Sequence, residues 1–151
     1  MNKPVLYVLL LLLFFTTNSF GQNGNTNKPE QFHNSPSVID CSESSLNSIF
    51  NTAAGQTINL SFPGNFSFSG NVTSNLVKYN NLQTAVIQSA ALDNTIFSVS
   101  KIKNKDNSIT YLGRIINTRY FDGYELQRNT AGNYQLIKIE TGRLMQDCKQ
   151  L

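Results

Sequence analysis

The chain of 151 residues has no tryptophan, one histidine, two cysteines and only 14% charged residues. Each scarcity removes a class of chemistry. A Ser–His or Cys–His nucleophile would have to be built around His33, which lies among Asn, Gln, Ser and Pro outside any patterned segment. Two cysteines and one histidine fall short of the four ligands a structural zinc takes. No Walker loop, Rossmann glycine fingerprint or His-Glu-x-x-His helix occurs, so no cofactor is expected. The formal net charge of +3 drops to +2 once a leader containing Lys3 is removed, too weak to point to nucleic acid as a partner.

Long hydrophobic runs are missing except at the start. Met1-Asn2-Lys3 supplies a short basic region, Val5 to Phe15 form an uncharged apolar run, and Ser19-Phe20-Gly21 puts small residues where a signal peptidase inspects the chain. The run is about half the ~20 residues a membrane-crossing helix needs, so residues 1–21 read as a cleavable signal peptide rather than a permanent membrane anchor. The expected location is secreted or periplasmic. Export also carries Cys41 and Cys148 into a compartment where thiols oxidise, and one disulfide between them is expected. It would close a loop of about 107 residues, worth about 4–5 kcal/mol by chain entropy.

Residues 22–37 hold one large apolar side chain, Phe32, among amides, Gly and Pro, and read as a flexible linker. Residues 38–151 then form a single β-rich domain. Asp40-Cys41-Ser42-Glu43 has capping-box spacing. Leu46, Ile49, Phe50 and Ala53 recur at helical steps until Gly55, which predicts an amphipathic helix over 42–54. Its polar face is rich in Ser and Asn, so it should depend on docking against a sheet.

From Thr57 the period becomes two. Ile58, Leu60 and Phe62, then Phe66, Phe68 and Val72, alternate with polar residues across Pro63-Gly64-Asn65, a β-hairpin pattern. Further strands are expected at 83–91, 95–102, 108–116, 123–128 and 134–140, joined by Asn/Asp/Gly turns too short for parallel crossovers. The fold class is α+β, one N-terminal helix packed on an antiparallel meander of six or seven strands, flat or curled.

Candidate chemistry is sparse. Among the nine acids, Asp122 and Glu125 are the close pair in the β region, but their spacing puts them on opposite faces of a regular strand. Residues 111–124 concentrate Tyr111, Tyr120, Phe121, Tyr124, Arg114 and Arg119; if the bend between strands is exposed, Arg119 and Tyr120 form an interaction surface. Lys101, Lys103 and Lys105 could make a basic tip for phosphate or an anionic glycan, or simply guard a strand end. Sequons at Asn59, Asn65 and Asn71 and the hydroxyls beside them mark the polar face of the first hairpin. The functional expectation is a non-enzymatic binding or interaction domain, of inhibitor or accessory type, for a protein or glycan partner. The alternatives are a carboxylate-dependent glycan hydrolase using Asp122 or Glu125, and a carrier of small apolar ligands if a curled sheet leaves a cavity.

Overall fold

The computed structural model of the chain describes residues 28–141. The expected signal peptide and Cys148 lie outside the described residues. Eight strands form one antiparallel sheet: β1 (Val38–Cys41), β2 (Thr57–Phe62), β3 (Phe66–Tyr79), β4 (Leu82–Ser89), β5 (Thr95–Lys103), β6 (Ile109–Ile116), β7 (Asp122–Arg128) and β8 (Tyr134–Glu140). From β2 to β8 each strand pairs with its sequence neighbour, and β1 adds to the far side of β8. The sheet curls so that its two edges, β1 and β2, approach each other. It is a half-closed barrel rather than a flat meander.

The antiparallel meander is therefore present, with one strand more than expected. The extra strand is β1, four residues long, whose single alternation of Val38 and Asp40 outward with Ile39 and Cys41 inward is too brief to register as a period in the sequence. It also moves the helix. The one α-helix among the described residues, α1 (Glu43–Asn51), follows β1 and connects it to β2. The expected capping box does not form. Ser42 is the N-cap and its hydroxyl accepts from Ser45 N–H, while Asp40 stays in the β1–β8 ladder and accepts from Gln135 Nε2 at 2.8 Å.

Alternation decides what is buried. Phe66, Phe68 and Val72 from β3, Ala85 and Ile87 from β4, Phe97 and Val99 from β5, Tyr111 and Ile115 from β6, Tyr124 and Leu126 from β7, and Leu136 from β8 all point inward. Phe68 and Phe97 meet edge to face with centroids 5.7 Å apart, and Tyr111 meets Tyr134 the same way at 5.4 Å. Helix α1 lowers Leu46, Ile49 and Phe50 onto one end of this interior and is tied there by polar contacts. Asn75 Nδ2 donates to the Phe50 and Thr52 carbonyls, and Gln83 Nε2 donates to Phe50 O. Those bonds satisfy carbonyls that a helix C-terminus leaves open.

The opposite end is closed by the segment expected to be a loose linker. Residues 28–37 lie across it as a strap. Phe32 is 3% exposed, packed between Phe66 and Tyr124, with centroids 6.0 and 5.1 Å away. The buried Asp122 carboxylate accepts Gln31 N–H at 2.6 Å on one oxygen and Phe32 N–H at 2.8 Å on the other. Lys138 Nζ donates to the Phe32 and Ser35 carbonyls, and Tyr124 O–H donates to Pro36 O at 2.6 Å. A low-apolar sequence is ordered here because its backbone groups find partners some ninety or more residues away while its one large apolar side chain, Phe32, enters the core.

Candidate functional site

The sheet has two ends. The strap end carries residues 28–37, the β4–β5 turn and the β6–β7 bend. The helix end carries α1 and the β3–β4, β5–β6 and β7–β8 turns. The two groups of candidate binding residues fall at opposite ends and do not form one surface.

Arg119 and Tyr120 lie in the bend at the strap end. Arg119 pairs with the Asp93 carboxylate, and Tyr120 O–H donates to the other oxygen of that carboxylate at 3.2 Å. The phenol of Tyr120 is held above its usual pKa, first by this hydrogen bond to Asp93. Both side chains thus tie the β6–β7 bend to the β4–β5 turn. The ion pair is largely in solvent, with side-chain exposures of 63% for Arg119 and 39% for Asp93, so it contributes little to stability. Replacing Arg119 and Tyr120 together by alanine is expected to lower the melting temperature by no more than about 4 °C, measured by calorimetry.

At the helix end the three lysines divide. Lys101 points toward α1, donating to Asn47 Oδ1 at 2.7 Å and lying over the Phe50 ring at 5.8 Å, which makes it a strut of the helix. Lys103 and Lys105 are exposed at the β5–β6 turn. The Lys103 N–H donates to Asn81 O at 2.8 Å, which locks that turn to the neighbouring β3–β4 turn. The acid of the same turn, Asp106, accepts from the N–H and O–H of Ser108, and this holds its carboxyl below the ordinary carboxylate range.

The β3–β4 hairpin was not marked by any sequence expectation. Strand β3 runs on for 14 residues, with register shifts at Val72/Ser74 and Val77/Tyr79, and ends in Leu76-Val77-Lys78-Tyr79 before the Asn80-Asn81 turn. Leu76 is 56% exposed, Val77 72% and Tyr79 69%. The polar stretch Thr73-Ser74-Asn75 breaks the apolar alternation and hides the strand's continuation. The signal that could have found it is the apolar and basic cluster set directly before two asparagines.

Between the ends, the outer face of the sheet carries a shallow hollow of about 480 Å³, lined among others by Lys78, Ser98, Ser100, Leu112, Arg114 and Glu125. Arg114 Nη2 lies 2.7 Å from Glu125 Oε1, and Gln127 Nε2 donates to Oε2 at 2.9 Å. These bonds, that from Gln127 first and those from Arg114 next, hold the Glu125 carboxyl below its usual value. Asp122, the other half of the proposed acid pair, faces the interior and holds the strap. The two carboxylates are not brought together.

Cys41 is buried, and burial pushes its thiol pKa up to about 12. It borders a second depression, of about 470 Å³, lined by Asp40, Ser42, Ser45, Phe62 and Tyr134 among others. Among the described residues no group of three or more His, Cys, Asp and Glu could hold a metal ion, and no helix is long and apolar enough to cross a membrane. No protein-family model, curated protein or solved structure matches the chain.

Proposed function

We propose that the protein is an exported, non-enzymatic binding module that meets its partner through the helix end of the sheet. The observation that carries this reading is the β3–β4 hairpin end, where Leu76, Val77 and Tyr79 are more than half exposed beside Lys78, Lys103 and Lys105. Large apolar side chains left in water next to cations cost solubility unless a partner covers them. The interior offers less support for the carrier alternative, because Phe32, Phe66, Phe68, Phe97 and Tyr124 occupy it. The hydrolase alternative has its two carboxylates committed on opposite faces of β7, one to backbone N–H groups and one to Arg114 and Gln127. Arg119 and Tyr120 remain a second candidate surface at the other end.

The test is capture from the native extracytoplasmic fraction by the immobilised chain. A Val77→Ser/Tyr79→Ser variant should retain at least tenfold less material than the unaltered protein while its melting temperature stays within about 4 °C. Undiminished capture by that variant, or loss of capture only in the Arg119→Ala/Tyr120→Ala variant, would move the binding site elsewhere.

Export also keeps the Cys41–Cys148 disulfide in the proposal, with a geometric condition. Cys41 sits opposite Tyr134 at the helix end, and Thr141 is seven residues further along toward the strap end, about 23 Å away. Seven residues separate Thr141 from Cys148 and span at most about 24 Å. A Cys41–Cys148 pairing lies within that reach, since the Cα atoms of a disulfide stand about 5.5–6 Å apart. Mass spectrometry of the exported protein with and without reductant is expected to show two hydrogens gained on reduction. Two thiols present without reductant would remove the disulfide.

A further inference from the structure

The helix end has a composition that narrows the partner. Its exposed apolar side chains are few and sit on both sides of one hairpin. Val77 lies opposite Gln83, whose side chain reaches α1, and Tyr79 lies opposite Leu82 on the other side of the hairpin. A stable protein interface buries about 800 Å² on each side around a central apolar core, and a hairpin tip ending in Asn80-Asn81 offers no such core. On the hairpin and the adjoining turn lysines outnumber acids three to one, Lys78, Lys103 and Lys105 against Asp106. Lys78 flanks the apolar pair on β3, and Lys103 and Lys105 stand on the adjoining turn, which the Lys103 N–H to Asn81 O bond fixes beside the hairpin. The acid within that turn, Asp106, is folded back onto Ser108.

We propose that this end docks peripherally on an anionic lipid surface, an inference that rests on the reading of the helix end as the binding site. The Asn80-Asn81 turn enters the headgroup layer first with Tyr79 beside it, and Val77 and Leu76, on opposite faces of β3 just behind the turn, contact the outer edge of that layer. Tyr79, with an apolar ring and a polar hydroxyl, suits the headgroup level, and the two asparagines stay hydrated among the headgroups. The backbone at the tip can approach the membrane because most of its N–H and C=O groups are already paired in the ladders of β3, β4 and β5. Lys78, Lys103 and Lys105 then face lipid phosphates, and Lys101, tied to Asn47, supports α1 from behind. Docking is shallow and reversible, because few side chains enter the membrane and the cations act only within a Debye length of its surface.

The experiment is flotation of the exported chain with vesicles of phosphatidylcholine alone and vesicles in which about a third of the lipid is phosphatidylglycerol. Retention on the anionic vesicles should exceed that on neutral ones at least tenfold and fall as salt is raised. A Lys78→Glu/Lys103→Glu/Lys105→Glu variant should lose it, and Val77→Ser/Tyr79→Ser should reduce it about tenfold, with melting temperatures near that of the unaltered protein. Soluble glycerol phosphate should not compete, which separates a membrane surface from a headgroup pocket. Equal retention on both vesicle types, no retention on anionic vesicles, retention by the glutamate variant, or competition by glycerol phosphate would each overturn the inference. If vesicles are not bound but Val77→Ser/Tyr79→Ser still abolishes capture from the native fraction, the lipid inference falls and the binding-module reading stands. If capture is also unaffected, both fall.

Discussion

Replacing Asp122 by alanine is expected to destabilise the strap end by about 3 kcal/mol or more, because one buried and one part-buried backbone donor lose their carboxylate acceptor at once. Water cannot readily replace it, since Asp122 is 3% exposed. The conservative change, Asp122→Asn, keeps one acceptor oxygen but turns an amide N–H₂ toward one of the two backbone N–H groups, and should recover only part of the loss. The chain has a local way to relieve the damage, which is to let residues 28–36 detach while the sheet persists. Two measurements separate the outcomes. Global unfolding lowers the melting temperature by roughly 10 °C or more, whereas local detachment leaves it higher but exposes the strap to proteases around Glu30 and His33. An Asp122→Ala protein as stable and as protease-resistant as the unaltered one would show that the strap is held by something other than this carboxylate.

The second large effect is at Phe97. This ring has no exposed surface, stacks edge to face on Phe68, and projects from β5 in the middle of the sheet. Phe97→Ala should cost about 3–5 kcal/mol by chemical denaturation, the transfer of the ring plus the cavity it leaves. The result also bears on the carrier alternative. A sheet built around a ligand space would have room for its neighbours to relax and would lose less than about 1 kcal/mol, whereas a filled interior pays for the whole void. The cavity created should be apolar and dry, and a small hydrocarbon such as benzene should recover part of the lost stability.

What could be read from the sequence was whatever local periodicity encodes. The alternation of Ile58, Leu60 and Phe62 with Thr57, Asn59 and Ser61 gives β2 its buried and exposed faces residue by residue. Gly64 with φ +75° and Asn65 with φ +57° supply the left-handed turn that Pro63-Gly64-Asn65 suggests. The parity that sends Asp122 inward and Glu125 outward was likewise legible. Three features were not. The strap's order comes from Asp122 and Lys138, partners too distant in sequence for any window to connect. Strand β1 is only four residues long, and its reason to exist is an open edge on β8 that the tertiary fold creates. The far half of β3 is hidden by two register shifts that break the period of two at Thr73 and Lys78. That last omission is why Val77 and Tyr79 went unmarked beside Lys103 and Lys105, while Lys101, read with them as a basic tip, turns to Asn47 of α1.

The position of the partner on the protein is the most direct test of function at the helix end. Hydrogen exchange of the chain, free and held on its captured partner or on anionic vesicles, reads it amide by amide. Slowed exchange confined to residues 76–82 and 103–108, with 117–121 unchanged, is the expected footprint. Protection centred on Arg119 and Tyr120, or on the outer hollow around Ser98 and Arg114 with none at the β3–β4 turn, would contradict it.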